Sequence, residues 1–173
     1  MSRDRAWALA KSQTRYNLTT YRKLQARDFG SVATIVTTDF EGLHEYKRGD
    51  YQRCLLLSTQ NVHNLLYATD MADVFTFPMF IQMFDDDIVS LTALTLIANS
   101  EFRAVSVNVS IRQLTLLLYL MTKCQLMLQH LVTSLVETLD CIEVAQEKIP
   151  AAHILDHLTL KMTKGKILTY ITS

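Results

Sequence analysis

The chain has very little glycine or proline, four and two residues among 173. So few turn formers exclude the many tight turns of a β-sandwich or barrel, and they exclude low-complexity disorder. The glycines, at positions 30, 42, 49 and 165, are too scattered for a phosphate loop or a dinucleotide fingerprint, and no G-x-S-x-G nucleophile elbow is present. Cysteine is equally sparse: Cys54, Cys124 and Cys141 are odd in number, widely spaced and without a C-x-x-C pair. That pattern suits neither a disulfide framework nor a zinc site, and it fits a reducing, cytoplasmic compartment. The most apolar stretch, Leu114 to Leu120, is far short of the roughly 18 residues that a membrane span requires. The segment from Met1 to Trp7 lacks the apolar core of a signal peptide. Lys plus Arg and Asp plus Glu are equal at 17 each, which disfavours a generally basic nucleic-acid binder. With no nucleophile, phosphate-loop or cofactor motif, the chain reads as a non-enzyme without a cofactor.

What is present is apolar residue at helical spacing. Hydrophobic residues make up 49% of the chain, and about seven helices account for most of them. The first, about 4–27, carries Trp7, Tyr16, Leu18, Tyr21 and Leu24 among basic side chains, and Gly30-Ser31 breaks it. The second, about 32–47, ends at Arg48-Gly49-Asp50, where glycine suits a left-handed C-cap and Asp50 caps the third helix, about 51–67. So short a connection folds the two back as an antiparallel hairpin. Pro78 is read as the first residue of a helix running to Ile97, with a restart at Asp85-Asp86-Asp87 as the alternative. Residues 99–110 are read as loop, because the Val105-Val107-Val109 alternation has no obvious partner strand. Three helices close the chain, about 110–129, 132–148 and 152–171, with Ile149-Pro150 between the last two. The expectation is a single all-helical domain over residues 1–173, either whole or a piece of a longer helical array.

The run from Tyr46 to Leu55 resembles the turn of a tetratricopeptide repeat. There Gly42 and Tyr46 take late positions of a first helix, Gly49 the turn, Tyr51 the aromatic opening the second helix, and Cys54 the small residue where two helices cross. Residues 114–150 repeat the outline with Tyr119, Ser134 and Pro150, but without the turn glycine. The resemblance implies antiparallel hairpins stacked as an array, a protein–protein interaction scaffold, and a peptide-binding groove. It also implies that first-helix side chains Glu45, Lys47, Lys123 and Gln125 face a protein or peptide partner. The apolar end Ile167 to Ile171 points to self-association or to an end that docks on something.

Two constellations offer other chemistry. His153 and His157 stand four apart on one helical face, a spacing that holds metal in a metal-dependent hydrolase. No further ligand is identifiable, so they are read as structural or solvent-facing and no metal is assigned. The basic first helix, with Arg15, Arg22, Lys23 and Arg27 around Tyr16 and Tyr21, has the composition of an RNA-contacting arm, but no recognition motif accompanies it. A solvated helix face is the simpler reading.

Overall fold

A computed structural model describes residues 41–67, 75–76, 86–98 and 111–173. Within them are six helices: α1 (residues 41–48), α2 (Tyr51–Tyr67), α3 (Asp86–Ala98), α4 (Gln113–Met127), α5 (Val132–Lys148) and α6 (Ile154–Thr172). Two short extended pieces, β1 (Phe75–Thr76) and β2 (Ile111–Arg112), pair antiparallel, with Phe75 opposite Arg112 and Thr76 opposite Ile111. Apart from that two-residue ladder the described chain is all-α. The first helix at 4–27, the opening of the second, the start near Pro78 and the loop over 99–110 lie outside the described residues.

Local chemistry explains the first hairpin. Gly49 adopts φ +83°, its amide reaches the Tyr46 carbonyl at 3.1 Å, and the Asp50 amide reaches the Glu45 carbonyl at 3.0 Å. These two bonds form a Schellman cap on the carbonyls left unpaired at the end of α1. The Asp50 Oδ1 then accepts the Arg53 amide at 3.1 Å and caps the start of α2. Tyr46 and Tyr51 meet edge to face across the turn, with ring centroids 5.8 Å apart.

The turn from α4 to α5 repeats this geometry without glycine. Gln129 sits at φ +52°, its amide bonds the Leu126 carbonyl at 3.3 Å, and the His130 amide bonds the Gln125 carbonyl at 3.0 Å. An offset of eighty residues therefore superposes Gly49 on Gln129 and Cys54 on Ser134.

Helices α2 and α5 have the expected bounds. The helix expected from residue 110 starts later, at Gln113, because Ile111 and Arg112 are extended to pair with β1, with Ile111 driven into the core at 1% exposure. Helix α6 starts at Ile154 rather than 152, since the His153 amide bonds the Pro150 carbonyl in a turn.

Packing centres on α4. Its residues Leu116 to Met121 are all buried, as expected of a helix apolar on every side. It contacts α2, α5 and α6, while α6 also meets α3 and α5. Its neighbours turn apolar residues towards the core: Cys54, Val62 and Leu66 from the amphipathic α2, Leu135 and Ile142 from the amphipathic α5, and Leu160 and Ile167 from α6, which also leaves Leu158 and Leu168 exposed. Two apolar clusters result, one around Leu117, Leu118 and Ile142, the other around Leu116, Tyr119 and Cys124, and Leu55 packs against both. Lys148, in the last turn of α5, donates to the Leu66 carbonyl and ties α5 to the end of α2.

Candidate functional site

The C-terminal part of α4 and the C-terminal half of α6 line an open-sided groove of about 610 Å³. Leu126, Met127, Met162 and Tyr170 give it an apolar lining, Thr169 and Ser173 add hydroxyls, and Lys123 and Lys166 supply charge. Its lining includes no acidic side chain. The two lysines converge on Asp87 of α3, Lys166 at 2.8 Å and Lys123 at 3.6 Å from the same oxygen, and Lys123 also lies 5.9 Å from the Tyr119 ring centroid. This fixes the ammonium groups at the rim while their aliphatic stems line the wall. Met127 is 58% exposed, and thioethers of this kind adapt to varied apolar surfaces.

Gly165 lies in the middle of α6, and a Cβ added there meets nothing within 4 Å. Glycine inside a helix costs about 0.5–1 kcal/mol relative to alanine, and no close contact at Gly165 among the described residues offsets that cost. Its effect is to deepen the groove.

The expected partner-facing residues separate. Lys123 lines the groove. Gln125 does not: it is buried at 6% exposure, its carbonyl oxygen accepts the Thr138 hydroxyl at 2.9 Å and its amide donates to the Ser134 carbonyl. The reading of Gln125 as a partner contact is corrected on that ground, since a side chain turned inward to join α4 to α5 cannot face a ligand. Glu45 lies against His44 at 3.6 Å and Arg48 at 3.9 Å, and neither Glu45 nor Lys47 belongs to the groove lining. The repeat positions stay together: Gly42 is buried and faces the Ser58 hydroxyl, which a Cβ added at Gly42 would meet at 3.8 Å in ordinary contact, and Cys54 is fully buried. The Cys124 thiol is held well above the ordinary range by its hydrogen bond with Cys54 and by burial.

His153 and His157 turn to different partners. His157 Nε2 lies 3.2 Å from the Pro150 carbonyl. His153 bridges Arg112, whose Nη2 lies 3.1 Å from Nε2, and Asp156, whose Oδ2 lies 3.7 Å from Nδ1. Because a guanidinium only donates, Nε2 accepts and the ring proton is on Nδ1, facing the carboxylate. Asp156 and His153 thus have the outline of an acid–base dyad. The nitrogen that would take a substrate proton is engaged by Arg112, and the set instead clamps β2 to the start of α6, with Asp156 Oδ1 accepting the Arg112 amide at 2.9 Å. Among the described residues no three His, Cys, Asp or Glu side chains group as a metal site. The basic first helix lies outside the described residues.

Sequence reasoning missed Asp87, Gly165 and Lys166 as members of one site. The only local signal was the run Lys164-Gly165-Lys166, a glycine between two lysines inside a helical pattern. No helix among the described residues is long and apolar enough to cross a membrane. No protein-family model, curated protein or solved structure matches the chain.

Proposed function

We propose that the protein is a non-catalytic interaction module of tetratricopeptide-like helical hairpins, in which the groove between α4 and α6 binds an amphipathic helix bearing acidic residues beside its apolar stripe. The observation that carries this reading is the groove's composition: an apolar lining without an acidic side chain, and two rim lysines that share the one carboxylate of Asp87 and so leave the rim net positive. A helix laid in such a groove buries an i, i+3, i+4, i+7 stripe against Leu126, Met127 and Tyr170, and its acidic residues answer the lysines. The recurrence of one capped turn at Gly49 and at Gln129 supports the hairpin-repeat reading. Three unpaired cysteines, two of them buried, support a cytoplasmic setting.

The test is selection from a displayed library of helical peptides, followed by calorimetry. The expected winners combine the apolar stripe with Asp or Glu, bind more weakly as salt rises, and lose at least tenfold in affinity against Gly165→Leu. Selection of no peptide, or of peptides that bind the Gly165→Leu protein equally well, overturns the reading.

A further inference from the structure

We infer that the helix seated in this groove is α5 of a second copy of the chain, so that copies associate head to tail. The inference rests on the reading of the groove given above and names its occupant. The outer face of α5 carries the exposed valines Val132, Val136 and Val144, interleaved with Glu137, Asp140 and Glu147. Those three carboxylates make no ion pair with another described residue. Positions 132, 136, 140 and 144 follow one i+4 ridge, the kind that fits between two facing helices.

The charges are complementary. Helix α6 carries three lysines, of which Lys164 pairs with Glu143 of α5 and Lys166 with Asp87, and a single acid, Asp156, which is buried, whereas α5 shows Glu137, Asp140 and Glu147 on its outer face. With two lysines against the one carboxylate of Asp87, the groove rim keeps a net positive charge, opposite in sign to the valine face, and its lining matches that face in apolar character. Gly165 keeps open the space that an approaching helix needs. Within one chain the two surfaces cannot meet, because α5 already packs Leu135 and Ile142 on the core and its valine face points away. Two different patches in contact make a heterologous interface, which propagates from copy to copy.

Sedimentation velocity from micromolar to near-millimolar protein tests this, with two variants. Gly165→Leu fills the groove and leaves the α5 face intact. The double variant Glu137→Lys with Asp140→Lys reverses the α5 face and leaves the groove intact. The expected result is that the wild-type chain sediments faster as concentration rises, through species larger than a dimer, while each variant alone stays monomeric. Mixed in equal amounts, the two variants form one heterodimer and grow no further, since each supplies the half the other lacks. Circular dichroism and the thermal midpoint check folding, and Met127→Glu replaces Gly165→Leu should the latter fail to fold. A monomeric wild type overturns the inference, as does association that survives both variants or a mixture that stays monomeric. A monomeric wild type whose groove still selects acidic helical peptides removes the second copy and leaves the interaction-module reading standing. A monomeric wild type that selects none removes both.

Discussion

At the scale of single residues, two positions share one backbone conformation with different side chains. Gly49 and Gln129 both hold a left-handed φ that ends a helix, and only glycine does so without a Cβ penalty of roughly 1–2 kcal/mol. Gly49→Ala is therefore expected to destabilise by about 1 kcal/mol, and Gln129→Gly to stabilise by up to a similar amount. Gly42→Ala is neutral or slightly stabilising, because its Cβ would sit 3.8 Å from Ser58 in ordinary contact. Urea midpoints at constant m-value check all three.

Asp156 makes a different residue-scale argument. Burial pushes its carboxyl above the ordinary carboxylate range, with Thr115, then the Arg112 amide, His153 and the Arg112 guanidinium opposing that shift only in part. The folded state thus binds this proton more tightly than the unfolded chain. The contribution to stability is complete below the unfolded pKa of about 3.9 and is lost as pH rises through the raised native value. Asp156→Asn keeps an acceptor for the Arg112 amide and removes that titration. The stability of Asp156→Asn relative to wild type is expected to increase across this window and then level off. Denaturation measured across a pH series would show it, and a flat difference would contradict it.

At the scale of elements, α4 and α5 divide the work. Leu117 is fully buried from all sides in α4, so Leu117→Ala is expected to cost about 2–5 kcal/mol through lost burial and a residual cavity. Val136, on the outer face of α5, is 44% exposed, and Val136→Ala is expected to change monomer stability by no more than about 0.5 kcal/mol. Denaturation of dilute protein separates the two. How far each element was legible follows from its pattern. Helices α2 and α5 carry one apolar stripe apiece between clear stops, and their bounds were readable from spacing alone. Helix α4 is apolar on every side, so its spacing could not place its first residue, and pairing with β1 moved that start to Gln113. A two-residue ladder between segments more than thirty residues apart leaves no periodic trace in either.

For the molecule as a whole, the two apolar clusters meet through α4, with Leu55 of α2 touching both. Cys54 and Cys124 are fully buried in one of them, while Cys141 is only partly covered and packs against the other. Maleimide labelling is therefore expected to modify Cys141 first and slowly, its thiol being raised chiefly by burial and further by Asp140 and Glu137. Cys54 and Cys124 should react together, at the rate of global opening. Independent labelling of those two would mean that α2 leaves α4 before the core opens.

The amino-acid sequence by itself determined the helical class, the lengths of the amphipathic helices and the capped turn at Gly49-Asp50, because each depends on neighbours within a few residues. Only the tertiary structure decided that Gln125 turns inward to Thr138, that His153 is taken up by Arg112 and Asp156, and that Gly165, Lys166 and Met127 belong to one groove. Those outcomes depend on which faces of α4, α5 and α6 meet. Residues far apart in sequence, 44 positions for Arg112 and Asp156 and 82 for Lys148 and Leu66, come into contact only when the helices pack.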